Sequence, residues 1–100
     1  MSVYVIGLLR ARNWTWYRDY VAKTVPLITR HGGKYLIRGL GVGMLEGDST
    51  TCPSAVVVLE FPSEDHARAW HDDPDYRPMI ELRRSGCDTD LLLAASTESP

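Results

Sequence analysis

Residues 55–76 read AVVVLEFPSEDHARAWHDDPDY, and this stretch contains the local signals that decide the fold. Its first seven residues include three β-branched valines and are almost wholly apolar, which predicts a strand over residues 55–61. Ser63 follows as a helix N-cap, and two acidic residues come directly after it, where the helix dipole favours negative charge. We therefore predict a buried strand followed by a short helix that ends at about His71.

The same stretch closes with the start of a second short helix. Asp73-Pro74 is a capping residue followed by a proline, which a helix accepts in its first turn. One face of this helix carries Tyr76, Met79, Ile80 and Arg83. Gly86 ends it, and DLLLAA at residues 90–95 predicts the last strand. Residues 96–100 are expected to form a flexible tail.

The N-terminal half supplies the remaining elements. VYVIGLL at residues 3–9 and KYLIRG at residues 34–39 predict two strands. Between them, Asn13 is a candidate N-cap and Gly32-Gly33 a candidate C-terminus for a longer helix. Its apolar positions recur at three- and four-residue spacing, as Trp14, Tyr17, Val21, Val25 and Ile28. Pro26 predicts either a kink or a restart within that helix.

These elements follow one another in the order β-α-β-β-α-β, which is the ferredoxin-like pattern. We predict a single α+β domain over residues 1–95, with a four-stranded antiparallel sheet and its helices on one face. The other face of such a sheet is polar when water covers it. Here VYVIGLL, AVVVLEF and DLLLAA are apolar at odd and even positions alike. We therefore predict a homodimer in which two sheets face each other and enclose an interior, as a dimeric α/β barrel.

Two charged residues are expected on that inter-sheet side. Strand alternation makes Phe61 the better core residue, so Glu60 should face away from the helices. The matching set in the second strand contains Leu36 and Arg38, which predicts that Arg38 and Glu60 meet. Because buried charges are costly unless paired, this contact is either a structural ion pair or a ligand-orienting site, and both interpretations stay open.

Composition and charge exclude several classes of partner. Eleven basic and 13 acidic residues give a net charge of −2 with no basic stripe, which argues against nucleic acid. The apolar run at residues 3–9 is shorter than the about 20 residues that cross a membrane. Arg10 and Arg12 follow it directly, unlike a signal-peptide cleavage region, so we expect a cytoplasmic protein without a membrane partner. Cys52 and Cys87 are expected to be reduced there.

Four segments resemble one known family in order and spacing: HGGKYLIRG, LEGD, VVVLEFPSEDHARAWHDDPDYRPMIELR and DLLLA. The family is domain of unknown function 1330, within the dimeric α/β-barrel superfamily, and the resemblance runs from Val3 to about Ala95. It implies a ferredoxin-like dimer. The superfamily includes cofactor-free monooxygenases, isomerases, cyclases and haem-degrading enzymes. The positions that match the family pattern are Gly33, Arg38, Gly39, Gly47, Glu60, Phe61, Trp70, Pro74, Tyr76 and Arg83.

A metal site and a cofactor are not expected. His66 and His71 lie five residues apart, which places them on different faces of a helix. The nearby aspartates are explained by capping. Haem is a minor alternative that rests on the resemblance alone, because no Cys-x-x-Cys-His motif is present. The glycine-rich loop after residue 39 leads to a strand rather than to a helix, so it does not predict a nucleotide site.

Two functions remain open for a small apolar organic ligand. The first is a cofactor-independent enzyme of isomerase, cyclase or monooxygenase type, acting on a carbonyl or aromatic metabolite. In it His71 or Glu60 moves a proton and Arg38 stabilises negative charge. The second is a non-catalytic dimeric ligand-binding or accessory protein. The predicted ligand-binding residues are Tyr17, Tyr20, Trp70, Tyr76 and Arg83.

Overall fold

The computed structural model describes residues 2–95 as one sheet and three helices. The strands are β1 Val3–Ala11, β2 Lys34–Gly39, β3 Ala55–Phe61 and β4 Cys87–Ala95. The helices are α1 Tyr17–Arg30, α2 Glu64–Asp72 and α3 Arg77–Arg84, and Ser49–Thr51 form one turn of 3₁₀ helix. All strand pairs are antiparallel, in the order β2-β3-β1-β4. The predicted α+β ferredoxin-like fold is confirmed, while the predicted tail at residues 96–100 lies outside the described residues.

The two faces of the sheet differ in what covers them. On the helix side, Val3, Val5 and Leu9 of the central strand β1 are buried. On the other side the same strand presents apolar residues that are only partly buried, and nothing in residues 2–95 packs over them. Leu92 and Ile37 lie on this side too and are 51% and 52% exposed. We call this side the open face, and it is as apolar as the strand sequences predict.

Strand β2 contains a bulge that changes which face its residues occupy. Tyr35 pairs with Leu59 and Arg38 pairs with Val57, so three steps along β2 match two steps along β3. One extra residue in β2 shifts the alternation, and Tyr35 and Arg38 share the helix side. Glu60 lies on the open face, as predicted. The predicted meeting of Arg38 with Glu60 is therefore wrong.

Helix α1 begins later than its sequence predicts. The Asn13 side-chain oxygen accepts hydrogen bonds from the backbone nitrogen of Thr15 at 3.2 Å and from its hydroxyl at 2.8 Å. This local bonding holds the segment as a turn, and the helix starts at Tyr17. Trp16 packs inside, and its indole nitrogen donates to the Asn13 carbonyl at 2.8 Å.

The buried stripe of α1 is rotated from the predicted one. Its buried residues are Tyr20, Thr24, Leu27 and Ile28, while Tyr17 and Val21 are partly buried. Pro26 is exposed within a helix that continues to Arg30, so the helix does not restart there. Gly32 follows with φ +79°, the left-handed conformation expected of a glycine after a helix end.

The segment between α2 and α3 is a turn rather than a helix start. Ser63 caps α2 as predicted, because its hydroxyl accepts from the backbone nitrogen of His66 at 3.2 Å. Asp73 instead accepts from the backbone nitrogen of Asp75 at 2.9 Å, which forms a local turn, and α3 begins only at Arg77. The last strand begins at Cys87, three residues earlier than predicted.

None of the helices within residues 2–95 combines the length and the apolar character that a membrane span requires.

Candidate functional site

A buried arginine on α3 is the centre of the interior polar cluster. Arg83 is 6% exposed, and its Nη1 donates hydrogen bonds to the hydroxyls of Tyr20 at 3.1 Å and Tyr76 at 2.8 Å. The two hydroxyl oxygens lie 2.6 Å apart. Among residues 2–95 no carboxylate forms an ion pair with Arg83, and its Nε has no hydrogen-bond partner.

Aromatic rings hold this cluster in place. Trp70 of α2 lies with its ring centroid 4.6 Å from that of Tyr76 and 5.5 Å from that of Phe61 in β3. On the other side, Trp16 packs edge-on against Tyr20 with centroids 5.5 Å apart. The indole nitrogen of Trp70 is buried and makes no hydrogen bond within the described residues. The rings thus fix two tyrosine hydroxyls against a guanidinium in an apolar setting.

The groups of this cluster act as hydrogen-bond donors at neutral pH. Burial is the main cause that raises the pKa of Tyr76 far above that of a free tyrosine, and the neighbouring Tyr20 is the second. Arg83 opposes the shift. Burial likewise raises the pKa of Tyr35. Arg83 remains charged because an arginine does not lose its proton in proteins. The interior therefore holds neutral phenols beside one positive charge.

A small cavity of about 30 Å³ adjoins the cluster, between the helices and the sheet. We call it the inner cavity. Its walls are Leu9, Tyr17, Tyr20, Val21, Tyr35, Val57, Leu59, Trp70, Arg83, Thr89 and Leu91. The volume is that of about one water molecule. Arg83 is the only charged side chain in this wall, and most of the remaining surface is apolar or aromatic.

A larger cleft of about 230 Å³ lies beyond Trp70, beside β4. We call it the outer cleft. Its walls are Val5, Ala67, Arg68, Trp70, His71, Asp72, Leu91, Leu92 and Leu93. Trp70 and Leu91 therefore border both spaces. A dry apolar cavity of about 150 Å³ holds a benzene molecule, so the outer cleft has room for a ring-sized ligand.

His71 gives the outer cleft a titratable group. Its ring lies 6.0 Å, centroid to centroid, from both Trp70 and Tyr76. His71 is an exposed residue, but partial burial of its imidazole lowers its pKa below the ordinary value of 6.5. Nearby arginines add to this effect and Asp72 opposes it. A neutral imidazole is therefore the main form at neutral pH, and it is able to accept a proton.

The structure brings together the predicted ligand-binding residues and separates the predicted catalytic ones. Tyr20, Trp70, Tyr76 and Arg83 form one cluster, and Tyr17 borders the inner cavity beside it. His71 is in the outer cleft.

The other two predicted catalytic residues lie elsewhere. Arg38 is exposed and its guanidinium carbon lies 4.9 Å from the ring centre of Tyr35. Glu60 is on the open face, where its carboxylate lies 3.5 Å from Lys34 Nζ. The bulge in β2 turns Arg38 to the helix side of the sheet, so it does not reach Glu60 on the open face. Arg38 is also not part of the outer cleft wall.

Sequence reasoning missed Tyr35 as part of the site. It borders the inner cavity and faces the helices from β2. Simple alternation contained the signal, since placing Leu36 on the open face implies that Tyr35 faces the helices. Within residues 2–95 no three His, Cys, Asp or Glu side chains gather closely enough to hold a metal ion.

Comparisons with known proteins agree with the fold. The family model described as domain of unknown function (DUF1330) matches residues 2–97. A crystal structure of a protein of unknown function from Rhodopseudomonas palustris is 23% identical with a TM-score of 0.81, covering 98% of this chain and 84% of that one. No curated protein matches the chain.

Two further solved structures share this fold, and one of them is described as an enzyme while the other is of unknown function. SnoaB, a cofactor-independent oxygenase from Streptomyces nogalater, is 15% identical with a TM-score of 0.70, covering 98% of this chain and 95% of that one. A dimeric ferredoxin-like protein of unknown function from Thermobifida fusca is 22% identical with a TM-score of 0.55, covering 96% of this chain and 92% of that one. At these identities the likeness concerns the fold.

Proposed function

Because this chain belongs to the DUF1330 family, in which function has to be argued from the site, we propose that it binds a small, largely apolar molecule in the outer cleft and moves a proton on it without a cofactor. One observation carries the proposal. The cleft of about 230 Å³ combines aliphatic side chains and Trp70 with one histidine, His71, whose imidazole is neutral at neutral pH. Arg68 and Asp72 complete the wall. Such a site orients an apolar carbonyl compound or phenol and offers an imidazole to its acidic hydrogen.

Proton removal is the first step that the candidate reaction types share. An isomerase returns the proton at a different carbon, and a cyclase uses the carbanion to form a carbon–carbon bond. A cofactor-independent oxygenase lets the carbanion react with molecular oxygen, and SnoaB is described as an enzyme of that kind. The likeness of fold supports this range of chemistry, and His71 supplies the base that each type requires.

The test is solvent deuterium exchange into 2-tetralone, an apolar two-ring ketone with an acidic C1 hydrogen, followed by NMR in heavy water. We expect the wild-type protein to accelerate exchange and His71→Gln to lower the rate by about 100-fold, the usual contribution of a general base. His66→Gln is the matched control, because His66 is exposed on the same helix and its Nδ1 is bonded to Ser63. Leu93→Trp is expected to fill the cleft and abolish both binding and exchange.

The rate should also depend on pH with a definite sign. The neutral imidazole is the base, so exchange is expected to fall as the pH drops through the pKa of His71, which lies below 6.5. A profile that is unchanged in His71→Gln would contradict the assignment of this residue.

A non-catalytic binding protein is the second candidate. It is favoured by the small size of the inner cavity and by the way Arg83, Tyr20 and Tyr76 bond to one another rather than to an open space. Saturable binding of 2-tetralone with no accelerated exchange would select this function. Absence of binding to the wild-type protein would exclude both.

We further propose that the chain is a homodimer joined through the open face, in the cytoplasm. Ile6, Leu8 and Val58 form an apolar centre there that water would otherwise contact. Several neighbours in fold are described as dimeric ferredoxin-like proteins. The two cysteines are both free thiols, which supports a reducing compartment.

A further inference from the structure

The interior of this protein carries an unbalanced positive charge. Arg83 is 6% exposed, yet no carboxylate pairs with it anywhere in the part of the chain that the structure describes. Its two partners, Tyr20 and Tyr76, offer phenol hydroxyls and no carboxylate. Buried charges are costly and are almost always paired, so an unpaired guanidinium indicates that a negatively charged group is missing.

Hydrogen bonding points the same way. The Nε of Arg83 and the indole nitrogen of Trp70 are both fully buried without a partner, and both residues border the inner cavity. Each nitrogen is able only to donate. The hydroxyls of Tyr20 and Tyr76 carry one hydrogen each, and the contact between them at 2.6 Å uses only one of the two. The other hydroxyl hydrogen is a third donor without an acceptor, beside the two nitrogens. The missing group must therefore accept several hydrogen bonds.

The size of the inner cavity limits what this group is. About 30 Å³ admits one atom or a very small group. A water molecule would satisfy the donors but would leave the charge of Arg83 unbalanced. A singly charged acceptor satisfies both requirements, whereas phosphate and sulfate carry more charge and more bulk than one guanidinium in this space accommodates.

We propose that the inner cavity is a binding site for one monoanionic group, held by Arg83 with Tyr20, Tyr76 and Trp70. The group is either a free anion of the size of chloride or formate, or the anionic oxygen of an organic acid whose body lies in the outer cleft. The two spaces are adjacent, because Trp70 and Leu91 border both, and the second source requires that they connect between these side chains. This site needs neither His71 nor proton transfer.

The first experiment measures thermal stability and calorimetric binding in a sulfate buffer of constant ionic strength, with chloride, formate or 2-naphthoate added. We expect saturable binding and a rise in Tm with at least one of these monoanions. Arg83→Met is expected to weaken that binding about tenfold or more, because charged hydrogen bonds are lost. Arg84→Met is the matched control: Arg84 is the next residue of α3 and is exposed, so binding should be unchanged.

A second measurement does not depend on whether Arg83→Met folds. Wild-type crystals soaked in sodium bromide are examined for anomalous scattering in the inner cavity, and crystals soaked in 2-naphthoate for its carboxylate. Bromide within hydrogen-bond distance of Arg83 Nε supports a free anion, and a carboxylate there that competes with chloride in solution supports an organic acid. A cavity that holds only water or remains dry in both soaks, with no binding of any of the three anions in solution, overturns the proposal.

The two proposals fail separately. Exchange of 2-tetralone that requires His71, in a protein that binds none of the three monoanions, would leave the proposed function intact and remove the anion site. Anion binding that requires Arg83, in a protein that does not bind 2-tetralone, would support the anion site and exclude the proposed function.

Discussion

At the scale of single residues, the site is identified by the buried polar atoms that have hydrogen-bond partners and those that have none. Arg83 is one of the predicted ligand-binding residues, and the sequence places it on one helix face with Tyr76 and Met79. Its partner Tyr20 lies 63 residues earlier in the chain, and the bond between them at 3.1 Å depends on how α1 and α3 pack. The absence of a carboxylate from residues 2–95 beside Arg83 is a property of that packing, because the sequence contains 13 acidic residues.

The hydroxyl of Tyr76 is expected to contribute measurably to stability. Tyr76→Phe removes an acceptor that lies 2.8 Å from the buried guanidinium, and leaves a charged donor less well satisfied. We expect the free energy of unfolding to fall by about 1–3 kcal/mol, measured by urea denaturation. Tyr17→Phe is the control, since Tyr17 borders the same cavity but its hydroxyl makes no hydrogen bond to residues 2–95. Equal effects of the two substitutions would contradict the prediction.

At the scale of elements, local signals placed the helices and strands well but misplaced some of their ends. Ser63, Gly32 and the apolar strands behave as predicted because capping and left-handed turns depend on neighbouring residues. Asn13 and Asp73 both form local turns instead of starting helices. A bond from a side-chain oxygen to a nearby backbone nitrogen is able to form either a helix cap or a local turn. We attribute the turns here to Trp16 and Tyr76, which pack against segments that are distant in the chain.

The turn at Asp73 joins α1 to the segment between α2 and α3. Asp73 is hydrogen-bonded to His31 Nε2 at 2.8 Å and Arg30 Nη1 at 3.0 Å, besides the backbone of Asp75. Led by the contact with His31, these partners lower the pKa of Asp73 to about 2. The folded state therefore binds this proton less readily than the unfolded chain, whose aspartate pKa is about 3.9.

This contact should make stability depend on pH in the acid range. The stabilisation is complete above about pH 4 and is lost as the pH falls towards about 2. Asp73→Asn is expected to lower Tm at neutral pH and to flatten the decline in Tm between those limits, measured by thermal scans. Asp90→Asn is the control, because Asp90 is exposed and its pair with Arg10 at the surface contributes little. An undiminished acid decline in Asp73→Asn would refute this account.

At the scale of the whole molecule, helices cover one side of the sheet, and no element within residues 2–95 covers the other. The open face is apolar along the central strand β1, as at Ile6 and Leu8, where both residues are partly buried within a single chain. A face of this kind is rare on proteins that remain single. The candidate site lies mainly on the helix side and the proposed dimer contact on the other, and Leu92 borders both.

A charge in the centre of the open face should disrupt the proposed dimer without disturbing the site. Ile6 pairs with Val58 and Leu92 across the sheet, so Ile6→Asp would bury an unpaired carboxylate between two copies. We expect the dimer dissociation constant to rise roughly 100-fold or more, measured by sedimentation velocity. Leu45→Asp is the control, because Leu45 is fully exposed in the loop before β3. A wild-type protein that sediments as a monomer at high concentration would contradict the dimer.

The sequence by itself determined the order of the elements, the caps at Ser63 and Gly32, and the apolar character of both sheet faces. These features depend on residues that lie within two to four positions of one another, so the sequence alone contains the information. Only the tertiary structure decided that Arg38 and Glu60 lie on opposite faces of the sheet. One extra residue in β2 shifts the alternation of that strand, and the pairing with β3 sets where the extra residue lies. Only the tertiary structure decided that Arg83 is buried with no counter-charge from residues 2–95, because burial and pairing depend on segments that are distant in the chain and meet only when the helices pack on the sheet.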